Sequence, residues 1–109
     1  MSDTTLTKTP EFEIRGEFLW FGVVLHADVR VRWCRSVRKR FLKELGDVLR
    51  GLGNIPAYAF QTPSHDPKKQ KFIKDVGGVF DHYRMTGDGE RAEMYRFHPL
   101  DWSKGKTNG

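Results

Sequence analysis

The sequence predicts one α/β (α+β) domain, in which two helices pack on a mixed sheet of about five strands. Three patterns lead to this prediction. The unbroken apolar run from Phe18 to Leu25 is typical of a strand that is covered on both faces. The amphipathic pattern from Val37 to Leu52 indicates a helix. Two strand-like runs joined by Gly87-Asp88-Gly89 indicate a closing hairpin.

The amino-terminal part is expected to contribute a tail and the first strand. Residues 1–9 are polar and rich in threonine, which predicts a flexible tail before a domain at residues 10–98. From Glu11 to Arg15, apolar and charged residues alternate, as in a half-buried strand. We expect Arg15-Gly16 to form the turn into the central strand.

The first helix is expected to lead from the central strand to a parallel third strand at Ile55–Gln61, the usual outcome of a strand-helix-strand succession. Ser36 is the predicted N-cap. Gly51 or Gly53 is the predicted end, because glycine adopts a left-handed conformation at little cost. The predicted buried stripe consists of Val37, Phe41, Leu42, Leu45, Val48, Leu49 and Leu52.

The second helix is expected to begin at Asp66-Pro67, an N-cap followed by proline at the first helical position, and to end at Gly77-Gly78. Its predicted buried side consists of Phe72, Ile73 and Val76. The closing hairpin then pairs Val79–Thr86 with Glu90–His98 in antiparallel fashion. Residues 99–109 read as a carboxy-terminal tail, which Trp102 alone is expected to hold to the domain.

The charge distribution predicts an anionic partner, such as nucleic acid, a phosphate-bearing cofactor or an acidic protein surface. The chain carries a formal net charge of +5, with seven arginines or lysines and no acidic residue between residues 30 and 43. Four further lysines lie between residues 68 and 74. These patches flank one strand.

We also expect a cytoplasmic protein without a membrane partner. No basic and then apolar leader opens the sequence, and its longest apolar run is far below the roughly 20 residues that a spanning helix requires. Cys34 is the only cysteine, which rules out an internal disulfide and a metal site built from cysteines. No metal site is predicted.

The turn between the central strand and the first helix is the predicted anion site. The first amides of a helix lack intrahelical partners, and the positive end of its dipole points outward. Arg30, Arg32 and Arg35 add guanidinium groups suited to a pyrophosphate or a nucleic-acid backbone. Alternatively, these arginines form a solvated rim beside a buried strand.

The segment from His26 to Ser36 resembles the acetyl-CoA-binding segment of the GNAT-type N-acetyltransferases, whose usual form is Arg or Gln, two residues, Gly, one residue, then Gly or Ala. The order of elements is similar over residues 17–97, including a glycine at position 77. The resemblance implies a GNAT-like fold that binds acetyl-CoA or CoA. The implied cofactor-binding residues are Leu25, His26, Arg30, Val31, Arg32, Trp33, Cys34, Arg35 and Ser36.

The chain departs from that family at three points. Trp33 and Arg35 replace both loop glycines, and Ile73 stands where the family has a tyrosine that protonates the departing thiolate. The amino-terminal half of the usual fold, with its two helices, does not fit into sixteen residues. The substrate-side wall is therefore missing or supplied by another subunit, as in a homodimer. Such short forms look like those encoded by bacteriophages, which implies a host cytoplasm and a host enzyme as a partner.

The mechanism implied by the resemblance is direct attack of a neutral amine on the thioester, while the strand Val23–Ala27 holds the pantetheine arm. His26 and Glu17 are candidates for the proton acceptor, although packing also explains a histidine near a strand end. His65 either bonds the cofactor or serves as a turn residue. Cys34 is either an acyl carrier or a small buried hydrophobic residue. The catalytic residues stay unassigned.

Two other functions stay open. The lysines of the second helix form either a solvated face or a site for the 3′-phosphate or for an acidic partner; they are Lys68, Lys69, Lys71 and Lys74. The strand aromatics are expected to be core residues and cross-strand pairs; they are Tyr58, Phe60, Tyr83, Tyr95 and Phe97. An aromatic sheet with basic edges also suits nucleic-acid binding. A module that binds a host protein without turnover is the other alternative.

Overall fold

The computed structural model describes residues 3–98 of the chain. The elements in these residues are β1 (Thr4–Lys8), β2 (Phe12–Leu19), β3 (Gly22–Val29), α1 (Arg35–Leu52), β4 (Ala57–Gln61), α2 (Pro67–Asp75), β5 (Val79–Met85) and β6 (Arg91–Phe97). The strands form one mixed sheet in the order β1-β2-β3-β4-β6-β5, which has one strand more than predicted. Both helices pack on one face of the sheet. Among the described residues, the opposite face carries no helix and is called the open face below.

The additional strand is β1, which occupies most of the segment predicted to be a flexible tail. It pairs antiparallel with β2 through backbone hydrogen bonds, which require no apolar pattern. Leu6 packs against the core and covers Gly16, where an added Cβ would lie 2.8 Å from Leu6 Cδ1. The Thr7 hydroxyl donates to the Glu44 carboxylate of α1 at 2.8 Å. Leu6 is the single large apolar side chain that β1 turns inward, so the strand has a polar composition. Its hydrophobic pattern therefore could not predict a strand.

The apolar run from Phe18 to Leu25 is a hairpin and not a single strand. β2 continues through Gly16 to Leu19, so the predicted turn at Arg15-Gly16 is wrong, and the chain reverses at Trp20-Phe21. Gly22 follows this turn with a φ of +148°, a value that residues with a side chain rarely adopt. The residues buried on both faces are Val23, Val24 and Leu25, as predicted for the central strand.

The strands on either side of α1 are parallel, as predicted. The buried residues of α1 all belong to the predicted stripe; they are Val37, Phe41, Leu45 and Leu49. Gly53, with a φ of +63°, ends the helix. The N-cap is Cys34 and not Ser36, because Cys34 has the extended backbone of a cap while Ser36 already lies in the first helical turn.

The second helix and the final hairpin also follow the prediction. The Asp66 carboxylate accepts the amide N–H of Lys68 at 2.9 Å, and proline occupies the first turn. Gly77, with a φ of +100°, follows the end of α2. β6 lies between β4 and β5, so the sheet ends in two antiparallel pairs. Trp102 and the predicted tail at 99–109 lie outside the described residues.

The core lies between the sheet and the helices, and a smaller apolar cluster lies on the open face. This smaller cluster consists of Val24, Tyr58, Ala92 and Met94, with Leu19, Phe21 and Phe60 at its border. Tyr95 and Phe97 belong to the main core, whereas Tyr83 is 51% exposed and is a cross-strand partner of Glu93, the other role predicted for these aromatics. None of the helices in residues 3–98 is long and apolar enough to cross a membrane.

Candidate functional site

The parallel strands β3 and β4 pair at one end and separate at the other. Val23 pairs with Ala57 and Val24 with Tyr58, and their pairing stops there. β3 stays paired with β2 along its whole length, and β4 with β6. Backbone groups on the facing edges of β3 and β4 are therefore free of each other beyond Val24. In open α/β sheets, such a gap at the carboxyl ends of parallel strands is where ligands bind.

A cleft of about 230 Å³ lies at this gap, and its lining residues come from both faces of the sheet. On the helix side its walls are apolar, formed by Ile14, Leu25, Ala27, Phe41, Leu45, Ala59, Phe72, Ile73, Val76 and Phe97. On the open face its mouth carries Arg15 and His26, which are cross-strand partners. Lys69 of α2 also lines the cleft. An apolar channel with a few polar groups at its mouth is the usual character of a small-molecule site.

Lys69 enters the cleft from α2. Its Nζ lies 4.4 Å from the ring centroid of Phe60 and 3.3 Å from His65 Nδ1. Burial lowers the pKa of Lys69 below its ordinary value, because desolvation disfavours the ammonium form. The predicted solvated face of α2 is thus wrong for this lysine, whereas Lys68, Lys71 and Lys74 are exposed as predicted.

A sequence signal for Lys69 existed and was missed. Lys69, Phe72, Ile73 and Val76 have the i, i+3, i+4, i+7 spacing of one helix face. Lys69 therefore occupies the first position of the buried stripe. A lysine on an apolar stripe is expected to lie along the core with its amine at an opening.

His65 is a turn residue that also borders the cleft. Its Nδ1 accepts the backbone N–H of Thr62 at 3.1 Å, which agrees with the turn role predicted as one alternative. Its ring packs edge-on against Phe60, with the ring centroids 5.2 Å apart. Burial, and then the nearby charge of Lys69, lower the pKa of His65.

His26 lies at the mouth of the cleft beside Glu17. His26 Nε2 and Glu17 Oε1 are 3.4 Å apart, and both side chains are partly exposed. Ligand atoms of Asp3, Glu17 and His26 lie within 4.8 Å of one another, a spacing that would suit a cation. Two of these three side chains, His26 and Glu17, already contact each other without a metal. The absence of a metal site stays a prediction.

An exposed thiol lies at the N-cap of α1. Cys34 is exposed, so the alternative of a small buried hydrophobic residue is wrong. Its Sγ lies 3.4 Å from Ser36 Oγ. The hydrogen bond with the Ser36 side chain, and then one from the Val37 amide, lower the pKa of Cys34. Within the described residues, no side-chain oxygen accepts a capping hydrogen bond from the first amides of α1.

The arginines of the turn differ in their partners. Arg30 is held by Glu13 at 2.8 Å and by Asp28 at 3.4 Å. Arg32 and Arg35 are exposed, and neither has a hydrogen-bond or ion-pair partner among residues 3–98. Val31, between Arg30 and Arg32, is 41% exposed. Arg32 and Arg35 are thus available for an anion, whereas Arg30 forms ion pairs with carboxylates of β2 and β3.

Trp33 does not line the cleft itself but packs against two residues of its wall. Its ring contacts Phe41 and Phe72, with centroid distances of 5.6 and 4.9 Å. The indole N–H donates to Asp75 Oδ2 at 3.2 Å, and Arg38 binds the same carboxylate. The indole therefore covers the groove between the first turn of α1 and the last turn of α2. Of the predicted cofactor-binding residues, Leu25 and His26 line the cleft. Arg30, Val31, Arg32, Trp33 and Cys34 lie between β3 and α1, and Arg35 and Ser36 lie in the first turn of α1.

A comparison of this chain with protein-family models, with curated proteins and with solved structures finds no match. A function therefore has to be inferred from the cleft and from the turn before α1.

Proposed function

We propose that the chain binds acetyl-CoA or CoA in the β3–β4 cleft and transfers the acyl group to an amine. The observation that supports this proposal is the separation of β3 from β4 directly before α1. An extended ligand arm needs a slot with free backbone donors and acceptors, and the edge of β3 at Leu25–Ala27 offers them. The parallel strands around α1 and the final hairpin agree with the layout that the resemblance implies.

The residues around the cleft fit the two chemical halves of this cofactor. The apolar walls at Leu25, Ala59 and Phe97 suit a pantetheine arm, and the turn with Arg32 and Arg35 suits the pyrophosphate. The first amides of α1 add the positive end of a helix dipole. When bound, the cofactor would supply the acyl group as a thioester. Because Trp33 covers the groove between α1 and α2, the adenosine end would have to lie outside that groove.

At the open face, His26 is the proposed proton acceptor for an incoming amine. An ammonium group has to lose a proton before its nitrogen can attack a carbonyl carbon. His26 lies at the mouth of the cleft, and Glu17 orients its ring at 3.4 Å. At the position of the family's tyrosine, Ile73 is buried and supplies no proton, so we expect slow turnover.

Titration calorimetry with CoA and acetyl-CoA tests the cofactor claim. Replacing both Arg32 and Arg35 by alanine should weaken binding at least tenfold, because two charge-assisted contacts with phosphate are lost. Replacing Lys43 and Arg50 by alanine removes the same charge farther along α1, where both residues pair with Asp47, and is the matched control. No heat at millimolar cofactor, or an equal loss in both double variants, would remove the proposal. Release of free thiol with candidate amines then measures turnover.

A module that binds a host protein without turnover is the second candidate. Trp20, at the β2–β3 turn, is 88% exposed, and Phe18, near the end of β2, is 45% exposed. Exposed aromatic side chains are frequent anchors of protein interfaces. Cofactor binding without thiol release would favour this candidate. The bacteriophage origin, the host partner and the homodimer remain predictions.

Nucleic-acid binding comes third, because the aromatic rings of the open face are already stacked with arginines. The Arg84 guanidinium lies 3.9 Å from the ring centroid of Phe21, and that of Arg96 lies 5.6 Å from Tyr58. Bases would have to displace both arginines in order to stack. Retardation of an oligonucleotide that weakens steeply with salt would reverse this ranking.

A further inference from the structure

We propose that Lys69 is itself an acyl acceptor, whose amine takes the acyl group from a donor in the β3–β4 cleft. The inference rests on the proposed function only in naming a CoA thioester as that donor. The nucleophilic amine is a separate claim, which a donor without CoA can test.

The path of the Lys69 side chain is the first argument. It starts on α2, on the helix side of the sheet, and lines the cleft together with Leu25 and Ala59. Its Nζ ends 4.4 Å from the ring centroid of Phe60, a residue of the open face. The amine therefore lies at the cleft beside the end of β4, next to the slot proposed for the thioester arm.

The surroundings of the amine are the second argument. The titratable groups that face it are His65 on the loop, His26 on β3 and Arg15 on β2. Within residues 3–98, Lys69 forms no ion pair with a carboxylate. Two carboxylates beside these groups are engaged elsewhere, since Glu17 lies against His26 and Glu90 accepts the Ser64 hydroxyl at 2.9 Å.

A partly buried amine without a counter-ion has a reason to lose its charge. Desolvation lowers the pKa of Lys69, so a larger fraction of this amine is neutral near pH 7 than of an ordinary lysine. Only the neutral amine carries the lone pair that attacks a carbonyl carbon. The neighbouring Lys68 and Lys71 are exposed on the same helix and are natural references.

The reaction is an ordinary aminolysis. The Nζ lone pair attacks the thioester carbon, the C–N bond forms, and the C–S bond breaks as the tetrahedral adduct collapses. The nitrogen sheds one proton to solvent at the cleft mouth, because the single lone pair of His65 Nδ1, 3.3 Å away, already accepts the Thr62 N–H. The thiolate takes up a proton from solvent. The products are an amide on Lys69 and a free thiol, with no oxidant or reductant involved.

The test uses the full chain and two acyl donors, acetyl-CoA and limiting acetic anhydride. Peptide mass spectrometry at successive times measures the acetylation rate of each lysine. We expect Lys69 to be acetylated several-fold faster than Lys68 and Lys71 with both donors. Because its pKa is lowered, its rate should level off at a lower pH than theirs.

Each remaining outcome separates the two proposals. Rapid acetylation of Lys69 by the anhydride but not by acetyl-CoA, with no CoA heat in calorimetry, supports the nucleophilic lysine and removes the proposed cofactor. CoA binding with Lys69 no faster than Lys68 and Lys71 for either donor overturns the inference and leaves the cofactor in place.

Discussion

The two ends of the β3–β4 pair are built in opposite ways. At the paired end, the Val23 amide donates to the Pro56 carbonyl at 2.9 Å, and Gly22 packs against Pro56 so closely that no side chain fits. At the other end, beyond Val24, the same two strands separate around the cleft. One end therefore fixes the spacing of the strands and leaves the other end free to receive a ligand.

This contrast indicates which substitutions should act on stability and which on binding. The paired end is close-packed, so a change of volume there is felt by the whole fold. The open end borders empty space, so an added side chain costs less stability and occupies the ligand's place.

The largest expected effect is at the paired end. Gly22→Ala should lower the free energy of unfolding by about 3 kcal/mol or more, because φ is +148° and the new Cβ would lie 2.5 Å from the Pro56 oxygen. Denaturant melts measure the loss. Gly51→Ala is the control, since an added Cβ there meets nothing within 4 Å, and it should raise helix stability by up to about 1 kcal/mol. A Gly22→Ala protein as stable as the wild type would mean that this end is not tightly closed.

The same substitution on one strand compares the two ends directly. Ala57 and Ala59 are both buried and point to the helix side of β4, but only Ala59 lines the cleft. Ala57→Leu should cost about 1–3 kcal/mol through overpacking, whereas Ala59→Leu should cost less than about 1 kcal/mol. Ala59→Leu should also abolish CoA binding in calorimetry. Equal destabilisation by both substitutions would show that the cleft is not available space.

Most of the fold could be predicted from local patterns. The stripe of α1, the Asp66-Pro67 start of α2 and the Gly87-Asp88-Gly89 hairpin are each specified by neighbouring residues, and each is observed. The hairpin inside the run from Phe18 to Leu25 could not be predicted, because two strand ends and an exposed aromatic turn have the composition of one buried strand.

The candidate site was harder to predict, because it depends on pairing between distant segments. No local pattern shows that β3 and β4 stop pairing after Val24. Nor could charge alone show that Arg30 is engaged by Glu13, while Arg32 and Arg35 have no partner among the described residues. Lys69 could have been found, since it stands on the apolar stripe of α2.

A smaller effect is expected at the turn beyond the open end. Cys34→Asp should raise the free energy of unfolding by about 1 kcal/mol, because a carboxylate caps helix amides better than a thiol and favours the dipole. The same negative charge should weaken CoA binding if phosphates bind at this turn. Denaturant melts measure the change in stability, and titration calorimetry on the same protein measures the change in CoA affinity. At α2, Asp66→Ala is the converse control and should cost about 1 kcal/mol without affecting CoA. Tighter CoA binding by Cys34→Asp would place the phosphates elsewhere.

The smallest expected effect is a pH dependence at the open end. The pKa of His65 is lowered from 6.5 by burial and then by Lys69, so the unfolded chain binds a proton before the folded chain does. Above pH 6.5 the imidazole of His65 is mostly neutral in the folded and in the unfolded chain. Below pH 6.5 the free energy of unfolding should fall with pH until His65 is protonated in the folded chain as well. The lowered pKa values of Glu11 and Glu13 act in a separate window below pH 4.5. Melts between about pH 5 and pH 7.5 should therefore show a loss that His65→Asn removes, since its amide oxygen can still accept the Thr62 N–H. An unchanged slope in His65→Asn would mean that this imidazole is fully hydrated and that the open end admits water around Lys69.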